Sequence, residues 1–175
     1  MYKDKIETKD LILAKAKADD LNDIYQNFWS QEETAKYMLW KPCKSLAEAR
    51  ESLEKIISFQ KDKIAYFVYE KKTKKAIGIA GVKEISPDIY EDAGIGIGPK
   101  FVGKGYGKQI LKALVDYCEE LGAKKIVCSC FTENIPSAKL QQSCGFKYTH
   151  SEKQVRKWDG KEYISDIYEL QLNKK

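Results

Sequence analysis

The sequence is poor in residues that bind metals. It has a single histidine, His150, and its five cysteines include no pair at the spacing that zinc sites use. We therefore predict no bound metal. Because five is an odd number, every disulfide scheme leaves one thiol unpaired, and this favours reduced cysteines in a reducing compartment.

Long apolar runs are also missing. No uncharged stretch approaches the ~18 residues of a membrane-spanning helix, and the N-terminus is rich in charged residues where a signal peptide would be apolar. We expect a cytoplasmic protein with no membrane partner. The formal net charge is only +5 and the lysines are interspersed with acidic residues, so we expect no nucleic-acid partner.

The length and composition fit one folded unit. A chain of 175 residues with 43% hydrophobic residues can bury one sizeable core. No linker, internal repeat or low-complexity segment interrupts the sequence. We expect a single domain over residues 1–175.

The centre of the sequence combines an alternating strand, a turn crowded with glycine and lysine, and a long amphipathic helix. Glycines let such a turn adopt positive φ, and the first amides of a helix have no intrahelical partner. The pattern predicts a phosphate-binding strand, loop and helix. Alternatively, the turn only lets the helix pack on the sheet. The residues concerned are Gly103, Lys104, Gly105, Gly107 and Lys108.

The strand before this turn has one face made only of glycine. Gly94, Gly96 and Gly98 share that face, while Ala93, Ile95 and Ile97 share the other. A face without side chains lets another group come close to the strand backbone. Either a packed helix or the thin arm of a ligand could occupy it.

Periodicity and turn residues predict the remaining elements. Capping-box spacings at Ser30 and Ser45 each predict the start of a helix, and Asp159-Gly160 predicts a two-residue hairpin turn. The predicted order is a strand over 9–16, a helix from Asp19 or Asp20, a helix from Ser30 to about Leu39, a helix over 45–60, a hairpin over 64–82, a strand up to Gly98, a helix up to Gly122, a strand over 125–131, a helix from Asn134 and a hairpin over 147–172.

This order resembles the GCN5-related N-acetyltransferase family over essentially the whole chain. The family loop is Arg/Gln-x-x-Gly-x-Gly/Ala, and Val102 to Gly107 keeps both glycines but begins with valine. The resemblance implies an α+β, three-layer fold with a mixed, mostly antiparallel sheet of about seven strands and about four helices. Three further stretches resemble the branch that contains ribosomal-protein N-terminal acetyltransferases. These are residues 7–13, residues 37–42, and Asn134 to Ser137 followed by Cys144-Gly145-Phe146.

The resemblance implies that acetyl-CoA is the cosubstrate. Its pyrophosphate would lie on the amides of residues 103–108, and its pantetheine would pair with the backbone of Ile95 and Ile97 along the glycine face. The implied cosubstrate-binding residues are Ile95, Gly96, Ile97, Val102, Gly103, Lys104, Gly105, Tyr106, Gly107, Lys108, Asn134 and Ser137.

The same resemblance implies that an amine attacks the thioester directly. An amide at Ile95 or Gly96 would donate to the thioester oxygen. Gln141 stands where the family often has a tyrosine acid, and glutamine cannot act as an acid. Ser137 is the candidate donor to the departing thiolate, with helix capping as its alternative role. Asp92 is the candidate base, with Glu84, Glu91 or a water that relays the proton as alternatives.

The sequence does not encode a particular acceptor. A peptide or protein N-terminus, a polyamine and an aminoglycoside all fit, as do a monomer and a homodimer. The acceptor is expected between the early helices and the last hairpin, near Trp29, Tyr37, Trp40 and Trp158. A nucleotide-binding loop is disfavoured because Gly105 stands where such loops need Ser or Thr. A non-catalytic acyl-CoA binding or sensor module is the alternative, motivated by Val102 and Gln141.

Overall fold

One eight-stranded sheet runs through the part of the chain, residues 2–172, that the computed structural model describes. Its spatial order is β1-β2-β3-β4-β5-β6-β8-β7, and only the β5–β6 pair is parallel. The strands are β1 (Lys5–Glu7), β2 (Leu11–Ala14), β3 (Ile64–Glu70), β4 (Ala76–Ser86), β5 (Ile89–Ile97), β6 (Lys125–Phe131), β7 (Lys147–Val155) and β8 (Glu162–Gln171).

Helices cover both faces of this sheet. They are α1 (Leu21–Ile24), which continues as a π-helical turn over Tyr25–Trp29, α2 (Glu32–Ala35), α3 (Leu46–Gln60), α4 (Tyr106–Glu120) and α5 (Ile135–Ser143). One core lies under α4 and α5, and a second lies under α1 and α3. The expected three-layer α+β class with a mostly antiparallel sheet is confirmed. The short strand β1 is additional to the predicted set.

The long helices follow the sequence pattern closely. The Ser45 hydroxyl accepts a hydrogen bond from the Glu48 amide at 3.2 Å and so caps α3. Helix α4 buries Ile110, Leu111 and Leu114 against the sheet. It ends where Gly122 adopts a φ of +88°, as a glycine stop signal predicts. No helix within residues 2–172 is long and apolar enough to cross a membrane.

Two local predictions are wrong. Helix α2 begins behind Gln31 without a side-chain cap and ends at Ala35, so residues 36–40 form turns instead of helix. The last hairpin turns over residues 156–161 instead of two residues. There the Gly160 amide donates to the Arg156 carbonyl at 2.8 Å, and the Asp159 carboxylate accepts from the Lys161 amide at 3.2 Å. These bonds stabilise the longer turn.

The parallel strands β5 and β6 pair over a short distance only. Ile89–Glu91 pair with Lys125–Val127 of β6. From Asp92 to Ile97, the pairing of β5 is with β4. A bulge follows at once, because Ala93 and Gly94 together stand opposite Gly81 of β4, with a φ of +108° at Gly94. The two strands therefore part and leave a backbone edge of β5 open in the middle of the sheet.

Candidate active site

The glycine-rich loop leads directly into α4. Gly103 and Gly105 have φ of +80° and +76°, and nothing lies within 4 Å of where a Cβ would sit at either position. Glycine is needed at these two positions because it adopts a positive φ without steric cost. Gly107, for which the sequence also predicted a positive φ, instead lies in the first turn of α4. A Cβ there would come 3.1 Å from a methyl group of Leu140. Its small size lets α5 pack close to the loop.

The start of α4 presents unpaired amides to the loop. The first bond of the helix runs from the Gln109 amide to the Gly105 carbonyl, so the amides of Tyr106, Gly107 and Lys108 precede it. The Tyr106 side chain is buried and points away from the loop surface, so this residue can offer an anion only its backbone. The loop and the start of α4 have the local geometry that the sequence predicted, and anion binding there stays a prediction.

A buried carboxylate, Glu70, lies behind this loop. It accepts hydrogen bonds from the Tyr106 hydroxyl at 2.7 Å, the Thr73 hydroxyl at 2.8 Å and the Lys104 ammonium at 3.2 Å. The Tyr106 bond is the main cause that holds the pKa of Glu70 below its usual value. The Lys104 ammonium, which was expected to bind the anion, thus pairs with Glu70, and Lys108 is exposed.

The glycine face of β5 is covered by protein. A Cβ at Gly96 would overlap the methyl group of Met38 and come 3.1 Å from the Phe28 ring. A Cβ at Gly98 would overlap the carbonyl oxygen of Asn27. The expectation that this face is a track for pantetheine is therefore wrong at Gly96 and Gly98, where the helical segment over Tyr25–Trp29 packs as the alternative of a packed helix predicted.

The backbone edge of β5, in contrast, is well placed for a ligand. The Gly98 amide donates to the Ile77 carbonyl of β4 at 2.8 Å. Because backbone amides alternate sides along a strand, those of Ile95 and Ile97 point to the other edge, into the opening between β5 and β6.

Two cavities meet at this opening. One, of about 360 Å³, extends over the glycine loop, and the other, of about 440 Å³, extends toward β7 and β8, where Gln154 and Ser165 line it. We call the place where they meet the junction. The residues that line both cavities are Tyr37, Met38, Ile95, Asn134 and Ser137.

Asp92 lies where the strands part and lines the larger cavity. Its carboxylate accepts a hydrogen bond from the Ser129 amide at 2.9 Å, and burial raises its pKa to about 6. Glu91 lines the same cavity but is paired with Lys83 at 2.8 Å. Glu84 is exposed and is not part of the lining. Of the three candidate bases, Asp92 is therefore the one that lines the cavity with a carboxylate bonded to a backbone amide and not to a lysine.

Ser137 lies in the first turn of α5. The cap of this helix is Asn134, whose side-chain oxygen accepts from the Ser137 amide at 3.3 Å. The Ser137 hydroxyl does not cap the helix and instead accepts from the side-chain amide of Gln141 at 3.2 Å. The structure thus brings Ser137 and Ile95 to the junction and Asp92 beside it.

The aromatic candidates divide into two groups. Tyr37 and Trp40 line the larger cavity, as expected for an acceptor site. Trp29 is instead a core residue that packs edge-on against Phe67. Trp158 is outside the cavity lining, and its ring lies 4.5 Å from the Arg156 guanidinium.

Arg156, which the sequence did not single out, holds the cavity wall together. This buried side chain donates from Nε to both carboxylate oxygens of Asp159 at 3.1 Å. Its Nη1 donates to the carbonyls of Lys36 at 3.1 Å and Met38 at 3.4 Å. Arg156 therefore ties the turn segment that carries Tyr37 to the last hairpin.

We expect Arg156→Met to lower the free energy of unfolding by roughly 2 kcal/mol, because it removes the hydrogen bonds of the buried guanidinium to Asp159 and to the carbonyls of Lys36 and Met38. The acceptor KM should rise while acetyl-CoA affinity stays nearly constant, since the segment it holds faces the larger cavity. Urea unfolding and steady-state kinetics measure both effects. Lys157→Met, the same change at an exposed neighbour, is the control and should be neutral. Equal effects of the two changes would contradict the role of Arg156.

The splayed sheet, the loop before α4 and the joined cavities are the features expected of an acyl-CoA-dependent transferase of mixed α+β fold. The model of the acetyltransferase (GNAT) domain matches residues 10–147, and the chain belongs to that family. It is an acetyl-CoA-dependent N-acyltransferase. Within residues 2–172, no group of three or more His, Cys, Asp or Glu side chains is arranged to hold a metal ion.

Known proteins resemble the chain over nearly its whole length. The uncharacterized N-acetyltransferase p20 of Bacillus licheniformis is 27% identical over 172 residues, 96% of this chain and 95% of that protein. RimL, a ribosomal-protein acetyltransferase solved with coenzyme A, matches with a TM-score of 0.80 at 19% identity, over 96% of this chain and 98% of that one. The microcin self-immunity acetyltransferase MccE, solved with acetyl-CoA and AMP, matches with a TM-score of 0.80 at 19% identity over 94% of each chain.

Proposed function

We propose that the protein transfers the acetyl group of acetyl-CoA to a primary amine, by direct attack within a ternary complex. The observation that carries this proposal is the junction. There the open edge of β5 meets one cavity that leads from the anion site of α4 and another that contains Asp92. Two reactants can therefore approach one point from opposite sides, and such positioning replaces a covalent enzyme intermediate.

The residues present fit acetyl-CoA. The amides from Gly103 to Lys108 would hold the pyrophosphate, since positive-φ glycines and a helix N-terminus favour an anion. The outward amide of Ile97 and the outward carbonyl of Ile95 would pair with the pantetheine in place of a neighbouring strand, which leaves the Ile95 amide for the acetyl group. Asn134, which lines both cavities, would contact the pantetheine near the junction. The bound cosubstrate supplies an activated acetyl thioester.

Three groups of this chain would act on the reacting atoms. The amine attacks in its neutral form, and Asp92 takes the proton that the nitrogen loses as the amide forms. The Ile95 amide donates a hydrogen bond to the acetyl oxygen as negative charge develops there. The Ser137 hydroxyl donates a hydrogen bond to the sulfur as the carbon–sulfur bond breaks and the sulfur leaves with the electron pair. A peptide or protein N-terminus, a polyamine and an aminoglycoside are the acceptor classes to test.

The decisive experiment measures the release of free thiol from acetyl-CoA with an amine panel. The panel contains peptides with free N-termini, polyamines and aminoglycosides, and acetylated peptides serve as the matched control without a free amine. We expect amine-dependent thiol release. If no amine gives release while acetyl-CoA still raises the melting temperature, the protein is a non-catalytic acyl-CoA binding module instead.

We expect Ser137→Ala to lower kcat roughly 10- to 100-fold, because one hydrogen bond to a developing charge is lost. Acetyl-CoA KM should change little. Ser143→Ala is the control, since this exposed serine of the same helix bonds the Leu140 carbonyl at 2.8 Å, contacts the Cys144 thiol at 4.0 Å and lines neither cavity. Unchanged turnover in Ser137→Ala would remove Ser137 from the mechanism.

A further inference from the structure

Gln141 is buried one helical turn after Ser137, with 5% of its surface exposed. Its Nε2 lies 3.2 Å from the Ser137 hydroxyl oxygen and 3.5 Å from the Ser129 carbonyl oxygen. Since a carbonyl can only accept, the nitrogen of the Gln141 amide must be the atom on this side. The Ser137 oxygen is therefore a hydrogen-bond acceptor in this contact.

This contact restricts the Ser137 hydroxyl hydrogen. A hydroxyl has one hydrogen to donate, and the side of the oxygen that faces Gln141 is already occupied by a donor. The neighbouring group is the Cys130 thiol, and burial raises the pKa of that thiol. A neutral thiol is a weak acceptor. A thiolate in the junction would compete for the Ser137 hydrogen far more strongly.

This orientation has a cost at the Gln141 oxygen. It is buried and has no hydrogen-bond partner among the described residues. A glutamine that served packing alone would leave this buried oxygen unsatisfied without any gain from its polar group. Its amide nitrogen, in contrast, is fully engaged on Ser137 and Ser129.

We propose that Gln141 is a positioning residue that turns the Ser137 hydroxyl hydrogen into the junction, toward the leaving sulfur. The inference rests on the proposed role of Ser137. The serine keeps its proton and donates a hydrogen bond, the sulfur takes the electron pair of the broken carbon–sulfur bond, and the proton of the amine goes to Asp92. Ser137 and Gln141 together replace the tyrosine acid that the family often has at position 141.

The test is Gln141→Glu, which keeps the size of the side chain but replaces the donor by an acceptor. The glutamate would draw the Ser137 hydrogen to itself. We expect kcat to fall at least 10-fold with little change in acetyl-CoA KM, and Gln141→Met to cause a smaller loss. Because a protonated glutamic acid can donate again, activity relative to the native protein should recover as the pH is lowered. Gln142→Glu is the exposed control and should be neutral.

A double-mutant cycle separates positioning from a general effect on folding. In a Ser137→Ala background, Gln141→Glu should cause no further fall in kcat. A fall as large as in the native background would overturn this proposal and leave the proposed function intact. A native protein that turns over no amine would overturn both. Thermal unfolding of each variant shows that the compared proteins are folded.

Discussion

Replacing Asp92 with asparagine is expected to lower kcat by a factor of about 10² to 10⁴, the range for loss of a general base. Asparagine retains an oxygen that can accept a hydrogen bond from the Ser129 amide, so the fold is preserved where β5 and β6 part. It cannot take up the proton that the attacking amine loses as the amide forms. The loss should therefore appear in turnover and leave acetyl-CoA affinity nearly unchanged.

The pH dependence gives this prediction its sharpest form. Burial raises the pKa of Asp92 to about 6, and a base must be deprotonated to act. In the native protein kcat/KM should rise with pH through a midpoint near 6, and Asp92→Asn should lack this rise. Glu91→Gln is the control in the same cavity and should retain it, because Glu91 is already paired with Lys83. A rise that persists in Asp92→Asn would exclude Asp92 as the base.

The stability of Asp92→Asn should rise although its activity falls. The pKa of Asp92 is raised in the folded state to about 6 from an ordinary value of 3.8, so folding favours the protonated form. The contribution of this group to stability is present at low pH and is lost as the pH rises through about 6. Asp92→Asn, which carries no charge, should therefore melt at a higher temperature than the native protein at pH 8. A variant that is more stable and less active is difficult to attribute to misfolding.

The parts of the site that the sequence predicted are those in which neighbours in sequence are also neighbours in space. The loop at Gly103 and Gly105 could be predicted because positive φ and a following helix are local properties. The same holds for the cap at Asn134. Ile95 and Ser137 were predicted to be site residues by resemblance, and both line the junction.

The features that the sequence did not predict depend on contacts between distant segments. Glu70 supports the loop from 36 residues away, and Arg156 bonds Lys36 from 120 residues away. No local pattern distinguishes such residues from surface charges. The glycine face of β5 shows the same limit, because alternation identifies a bare face but not its neighbour. Here Phe28 and Met38 cover it.

Replacing Gly78 with alanine is expected to destabilise the protein by about 3 kcal/mol or more, at the upper end for overpacking. A Cβ at Gly78 would overlap the carbonyl oxygen of Gly96 and come 2.9 Å from the Cα of Ile97. These atoms belong to the backbone of the adjacent strand, so no side-chain rotation can relieve the clash. Denaturant unfolding measures the loss.

The control for Gly78→Ala is Gly160→Ala, in the last hairpin turn. Gly160 has a φ of +69°, but nothing lies within 4 Å of its Cβ position, so alanine there should cost only about 1 kcal/mol. The comparison separates steric overlap from backbone strain. A Gly78→Ala protein as stable as the control would contradict the close approach of β4 and β5.

The Gly78 change should also affect the active site in a characteristic way. The clash falls on β5 at Gly96 and Ile97, beside the outward amides of Ile95 and Ile97 that we propose pair with acetyl-CoA. If β5 moves to relieve the overlap, these amides move with it. Acetyl-CoA affinity should then fall in the molecules that remain folded, whereas Gly160→Ala should leave it unchanged. Isothermal titration at a temperature well below the melting point of Gly78→Ala tests this. Native affinity in a destabilised Gly78→Ala protein would mean that the open edge of β5 is not where acetyl-CoA binds.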